Sequence, residues 1–210
     1  GALAGVQAQD SNKYGDTPEI QEKCKQNISL YREFRDQKNY ADAFEPWKKA
    51  VALCPKAAKT LYIDGVNFYE DLIKKEEDAA TKDALIDSML AVYDMRIEHF
   101  GQKGYVLGLK GMDMYKYRSS QPLKAYNVLK QSVELLKEKS QPGVLDLYYR
   151  SMFEAFKKEE VERAELLTEY LTVIDYLETG RAAAKEKYHT FYDKSRDNIN
   201  EFFILVANCD

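Results

Sequence analysis

Apolar positions repeat at helical spacing along most of this chain, broken only by short polar or Pro/Gly intervals. Ala43, Trp47 and Ala50 stand at i, i+4, i+7, which puts two small residues and one large one on a single helical face. Leu85, Met89, Tyr93 and Ile97 form a second stripe, and Ala125, Leu129 and Ser132 restore the small–large–small spacing. A last stripe includes Tyr188, Phe191, Tyr192, Ile199, Phe202, Phe203 and Val206. With their start and stop signals these patterns predict about nine helices, over 18–37, 40–53, 61–75, 81–100, 103–117, 122–139, 142–158, 160–178 and 181–207. Thr17 followed by Pro18 reads as an N-cap with proline at the first helical position, and Ser120 and Ser140, two residues before Pro122 and Pro142, mark both sites as helix starts. Pro55 and Gly101 are stops.

One stretch carries a resemblance. Leu30, Phe34, Tyr40, Ala43, Trp47, Ala50 and Pro55 fall at the offsets of the roughly 34-residue tetratricopeptide (TPR) pattern, so the segment from Leu30 to Pro55 resembles one TPR helix hairpin. Leu61, Gly65 and Phe68 repeat the first-helix pattern one period later. Two departures stand out: Tyr31 occupies a position where the family prefers a small residue, which implies a wider helix crossing, and Asp64 replaces an expected leucine. The second hairpin exceeds the pattern by about three helical turns, and the fourth retains Ala164 but otherwise matches poorly.

The resemblance implies an all-α fold, a right-handed superhelix of antiparallel hairpins (a TPR-like α-solenoid), with one repeat domain over 17–210; the polar, aperiodic residues ahead of it predict a flexible leader at 1–16. It also implies a non-catalytic scaffold that takes a protein or peptide segment in a groove lined by the first helix of each hairpin. The family's groove positions fall on Ile28, Arg32, Arg35, Lys59, Tyr62 and Tyr69. The Lys/Asn clamp by which some members grip a C-terminal carboxylate is not reproduced at Ile28 and Tyr62. Two rival readings remain: a structural subunit of a larger envelope assembly, and a helical enzyme acting on glycans. Oligomerisation is open.

Composition agrees with helices. The 210 residues include only 10 Gly and 5 Pro, too few for a turn-rich β-fold, while Lys and Glu dominate a 31% charged fraction. The net charge is −4 with cations scattered among acids, which argues against nucleic acid as a main partner. No window of about 18 apolar residues reads as a membrane span. Residues 1–9 read GALAGVQAQ, with Val6 and Ala8 at the −3 and −1 positions of a signal-peptidase site. That predicts a signal remnant and an exported, bacterial periplasmic protein; a chance Ala/Gly stretch on a cytoplasmic protein is the alternative. The terminal FFILVANCD lacks a polar cap, which predicts either a longer array or a closing lid.

Chemistry-bearing motifs are few. His99 and His189 have no ligand-spaced partners, and Gly101, Gly104, Gly108 and Gly111 match no phosphate-binding motif, so these glycines read as helix entry and close packing. Glu76, Glu77 and Asp78 read as a solvated turn. No catalytic residue, metal or cofactor is expected. Cys24 lies near the start of the first helix and Cys54 near the end of the second, ends that an antiparallel hairpin makes neighbours. In an exported protein the pair predicts a disulfide; in a reducing compartment it predicts two small buried hydrophobes. Cys209 is left over.

Overall fold

The computed structural model describes residues 13–208. Over those residues the chain is all-α, with nine α-helices and no strand. They are α1 (Pro18–Asp36), α2 (Tyr40–Leu53), α3 (Thr60–Lys75), α4 (Ala79–Phe100), α5 (Lys103–Tyr117), α6 (Pro122–Leu136), α7 (Pro142–Phe156), α8 (Arg163–Ala183) and α9 (His189–Ala207), with 3₁₀ turns at Lys137–Lys139 and Glu186–Tyr188. None is long and apolar enough to cross a membrane. The signal-site residues Val6 and Ala8, and Cys209, lie outside the described residues.

The described chain divides into two compact units after Gly101. The first holds α1 to α4. Thr17 caps α1 by accepting the Ile20 N–H, and Asn39 caps α2 by accepting the Asp42 N–H. Trp47 anchors the core: its indole N–H donates to the Leu61 carbonyl at 2.7 Å, and its ring meets Phe68 edge-on at 5.9 Å. Ala43 and Ala50, on the same face of α2, are fully buried. Cys24 and Cys54 are joined in a disulfide with Cα atoms 6.0 Å apart, tying the start of α1 to the end of α2. α2 also runs through Pro46, which is buried and leaves the Asp42 carbonyl without its i+4 amide donor.

The second unit holds α5 to α9. α5 packs on α6 and α7, and α7 packs in turn on α6, α8 and α9. Gly104, Gly108 and Gly111 let α5 come close to α6: a Cβ at Gly111 would lie 2.5 Å from the Leu129 side chain, and Ser132 donates to the Gly104 carbonyl at 2.7 Å. Its core is built on Leu129, Leu145, Tyr149, Leu166, Leu177 and Ile199.

The helix starts at Pro122 and Pro142 agree with the sequence reading, whereas the α7–α8 and α8–α9 junctions differ from it. Ser120 and Ser140 do not cap; Gln121 and Gln141 take the N-cap positions without side-chain bonds, since Pro122 and Pro142 fix the first turn by themselves. α8 continues to Ala183 because Gly180 is packed inside it, where a Cβ would approach the Glu138 carbonyl at 2.7 Å. α9 therefore begins at His189, after a 3₁₀ turn, and not at Arg181.

Candidate functional site

In the first unit, α1 and α3 are bridged side to side by polar groups. Asp64, buried on α3, accepts from the Arg35 guanidinium at 2.7 Å and from the Tyr31 phenol at 3.3 Å. Arg35 also binds Asp36, and Arg32 donates to the Thr60 hydroxyl at 3.4 Å. Burial pushes the Tyr31 phenol above its ordinary value. Beside this bridge lies a groove of about 460 Å³ lined by Tyr14, Lys25, Ile28, Ser29, Arg32, Glu33 and Asp36. Its floor is the mostly buried Ile28, and Lys25 reaches over the Tyr14 ring at one end. An apolar floor with charges of both signs on its walls suits an extended peptide carrying complementary charges.

The six residues that the TPR resemblance assigns to a groove are placed unequally. Ile28 and Arg32 line the groove, Arg35 is held beside it by Asp36 and Asp64, and Lys59 is exposed just before α3. Tyr62 is 1% exposed; its phenol donates to the Pro55 carbonyl at 2.8 Å and its ring stacks on His99. Tyr69 packs edge-on against Phe44 and Trp47, toward α2. The second histidine, His189, lies 3.0 Å from the Ala184 carbonyl. Asp36, Thr60 and Tyr14 escaped sequence reasoning. Tyr14 could not be found from it, because nothing in a polar leader says which helix it folds back on.

In the second unit a cleft of about 510 Å³ opens between the first turns of α7 and α9, lined by Gln141, Pro142, Gly143, Asp146, Ala184, Tyr188, Phe191, Tyr192, Lys194 and Ser195. Its aromatic residues belong to the stripe that sequence reasoning assigned to the last helix. Spacing cannot tell a ring turned to a core from one turned to a cleft. No group of three His, Cys, Asp or Glu side chains placed to hold a metal ion occurs among the described residues.

No family model matches the chain, and no curated protein matches it. The reading of function therefore rests on these residues.

Proposed function

We propose that this chain is a non-catalytic, TPR-like interaction scaffold that takes a peptide or protein segment along the α1–α3 face of its first unit. The observation that carries the reading is the Tyr31–Asp64–Arg35 bridge, which links the first helices of successive hairpins, with Arg32 lining the groove and Lys59 exposed just before α3. A preformed face loses less entropy on binding, and arginine is a preferred contact residue in protein interfaces. In the second unit α5 packs on α7 and α7 on α9, which supports a solenoid of stacked hairpins. The right-handed superhelix belongs to the same proposal. Export to an oxidising compartment such as the periplasm is supported by the buried Cys24–Cys54 disulfide.

Affinity capture from the native organism, with wild-type protein and the Arg32→Ala/Lys59→Ala variant compared by mass spectrometry, tests the proposal. A protein enriched by the wild type and lost by the variant supports it; equal recovery of every enriched protein by both rejects it. Tyr62 is left intact here because its substitution would disturb the core.

A further inference from the structure

The outward face of α9 carries an order of side chains that the α1–α3 groove does not use. Phe191, Lys194, Glu201 and Leu205 stand at i, i+3, i+10 and i+14, which places them within about 80° of one another around the helix axis. All four are exposed, Phe191 at 59% and Leu205 at 54%, while Ser195, Ile199 and Val206 on the opposite side of α9 are buried. The ion pairs of α9 use Asp193, Arg196 and Asp197, with Arg181 from α8. Among the described residues Lys194 and Glu201 enter none of them, so both charges face outward without a counter-ion at contact distance.

This order is complementary to its own reverse. Read from Phe191 to Leu205 the stripe runs apolar, cation, anion, apolar; read backwards it runs apolar, anion, cation, apolar. A second copy lying antiparallel on it sets Lys194 against Glu201 and Phe191 against Leu205, and a two-fold axis makes each pair twice. A parallel copy would instead set Lys194 on Lys194 and Glu201 on Glu201. The axis passes by Asn198, which is half-buried, uncharged and already held by Asp146. Asp197 stands on the flank of the stripe with the Arg196 guanidinium 3.6 Å away, which offsets the approach of two aspartates near the axis. The stripe is about 21 Å long. One helix face of that length from each copy lies at the low end of specific interfaces, so the association is reversible and depends on concentration.

We propose that the outward face of α9 is a self-association surface, and that its occupant is a second copy of this chain docked antiparallel through Lys194–Glu201 and Phe191–Leu205 pairs. The surface lies wholly within the second unit and does not depend on the α1–α3 groove.

The test is sedimentation equilibrium of the full chain, alkylated without reductant so that no intermolecular disulfide contributes, over a series reaching high micromolar concentration. The mass is expected to rise from monomer toward dimer. Lys194→Glu and Glu201→Lys each bring like charges together at both polar pairs, and each should weaken association about tenfold or more. An equimolar mixture of the two variants should associate like the wild type, because every pair in the mixed dimer is again opposite in charge. The Arg32→Ala/Lys59→Ala variant should also associate like the wild type, which separates this surface from the peptide groove. Circular dichroism checks helix content; if Lys194→Glu loses it through its closeness to Asp146, Phe191→Asp, with the same weakening expected, joins Glu201→Lys in its place. A monomer at every concentration overturns the proposal. So does undiminished association in Glu201→Lys, or a mixture that stays monomeric while both variants keep wild-type helix content.

Discussion

The Tyr31 phenol and the Asp64 carboxylate, both buried, meet at 3.3 Å across α1 and α3. These are the two positions at which the first two hairpins depart from the TPR pattern, and each departure answers the other. A tyrosine where a small residue is usual needs an acceptor, and an aspartate where leucine is usual needs donors, which Tyr31 and Arg35 supply. Asp64→Ala is expected to lower the stability of the first unit by about 1–3 kcal/mol, since it leaves the buried Tyr31 phenol without its acceptor, while Arg35 keeps Asp36 as a partner. Tyr31→Phe should cost about 1 kcal/mol, and the double variant less than the sum. Chemical denaturation followed by Trp47 fluorescence measures this, because the chain's one tryptophan reports on that unit alone. Strict additivity would show that the two residues do not support each other.

Gly65 lies directly beneath Trp47: a Cβ there would fall 2.3 Å from indole Cζ2. The indole is fixed by its bond to the Leu61 carbonyl and cannot move aside freely. Gly65→Ala should therefore destabilise by about 1–3 kcal/mol despite the better helix propensity of alanine. An unchanged or higher midpoint in the same fluorescence assay would contradict this packing.

The Cys24–Cys54 disulfide spans 30 residues of sequence and is buried at both ends. Closing a loop of that length stabilises by about 3–4 kcal/mol in the chain-entropy treatment. Cys24→Ser/Cys54→Ser should show a loss of that order, and native oxidised protein should leave both cysteines unlabelled by a thiol reagent. Labelling of both without reductant would contradict the bridge.

Alkaline pH should unfold the protein through its tyrosines. Burial pushes the phenols of Tyr31, Tyr62, Tyr126, Tyr148 and Tyr149 above the ordinary tyrosine value. Their contribution is fully present below pH about 10, where the unfolded phenols begin to ionise. Above it the unfolded chain holds fewer protons than the folded one, and stability falls as pH rises toward the folded values. In a pH titration the phenolate absorbance of these residues should appear together with loss of helical circular dichroism. Complete ionisation near pH 10 with the helices intact would refute it.

Helices were legible where sequence punctuation is local. The Ala43–Trp47–Ala50 spacing gave α2 its buried face, and Pro18, Pro122 and Pro142 located three helix starts to the residue, since proline's fixed backbone acts within one turn. The α8–α9 boundary was not legible: Gly180 falls between the two predicted helices, yet it marks where the chain passes close to Glu138 and Tyr192, a contact set by distant sequence. The groove was legible in part. Arg32 and Ile28 line it, whereas Tyr62 and Tyr69 turn into packing against His99 and against Phe44 and Trp47. An amphipathic tyrosine serves a core as well as a surface, so its position on a repeat pattern does not decide its direction.

The central claim, that the α1–α3 face receives a partner segment, is tested most directly by hydrogen–deuterium exchange of the full chain with and without the segment recovered by affinity capture. The account predicts slowed exchange confined to residues 25–36 of α1 and the start of α3 around 59–64, with that protection reduced in Arg32→Ala/Lys59→Ala. Protection that appears on α2 or α4 while α1 exchanges as in the free protein would contradict it.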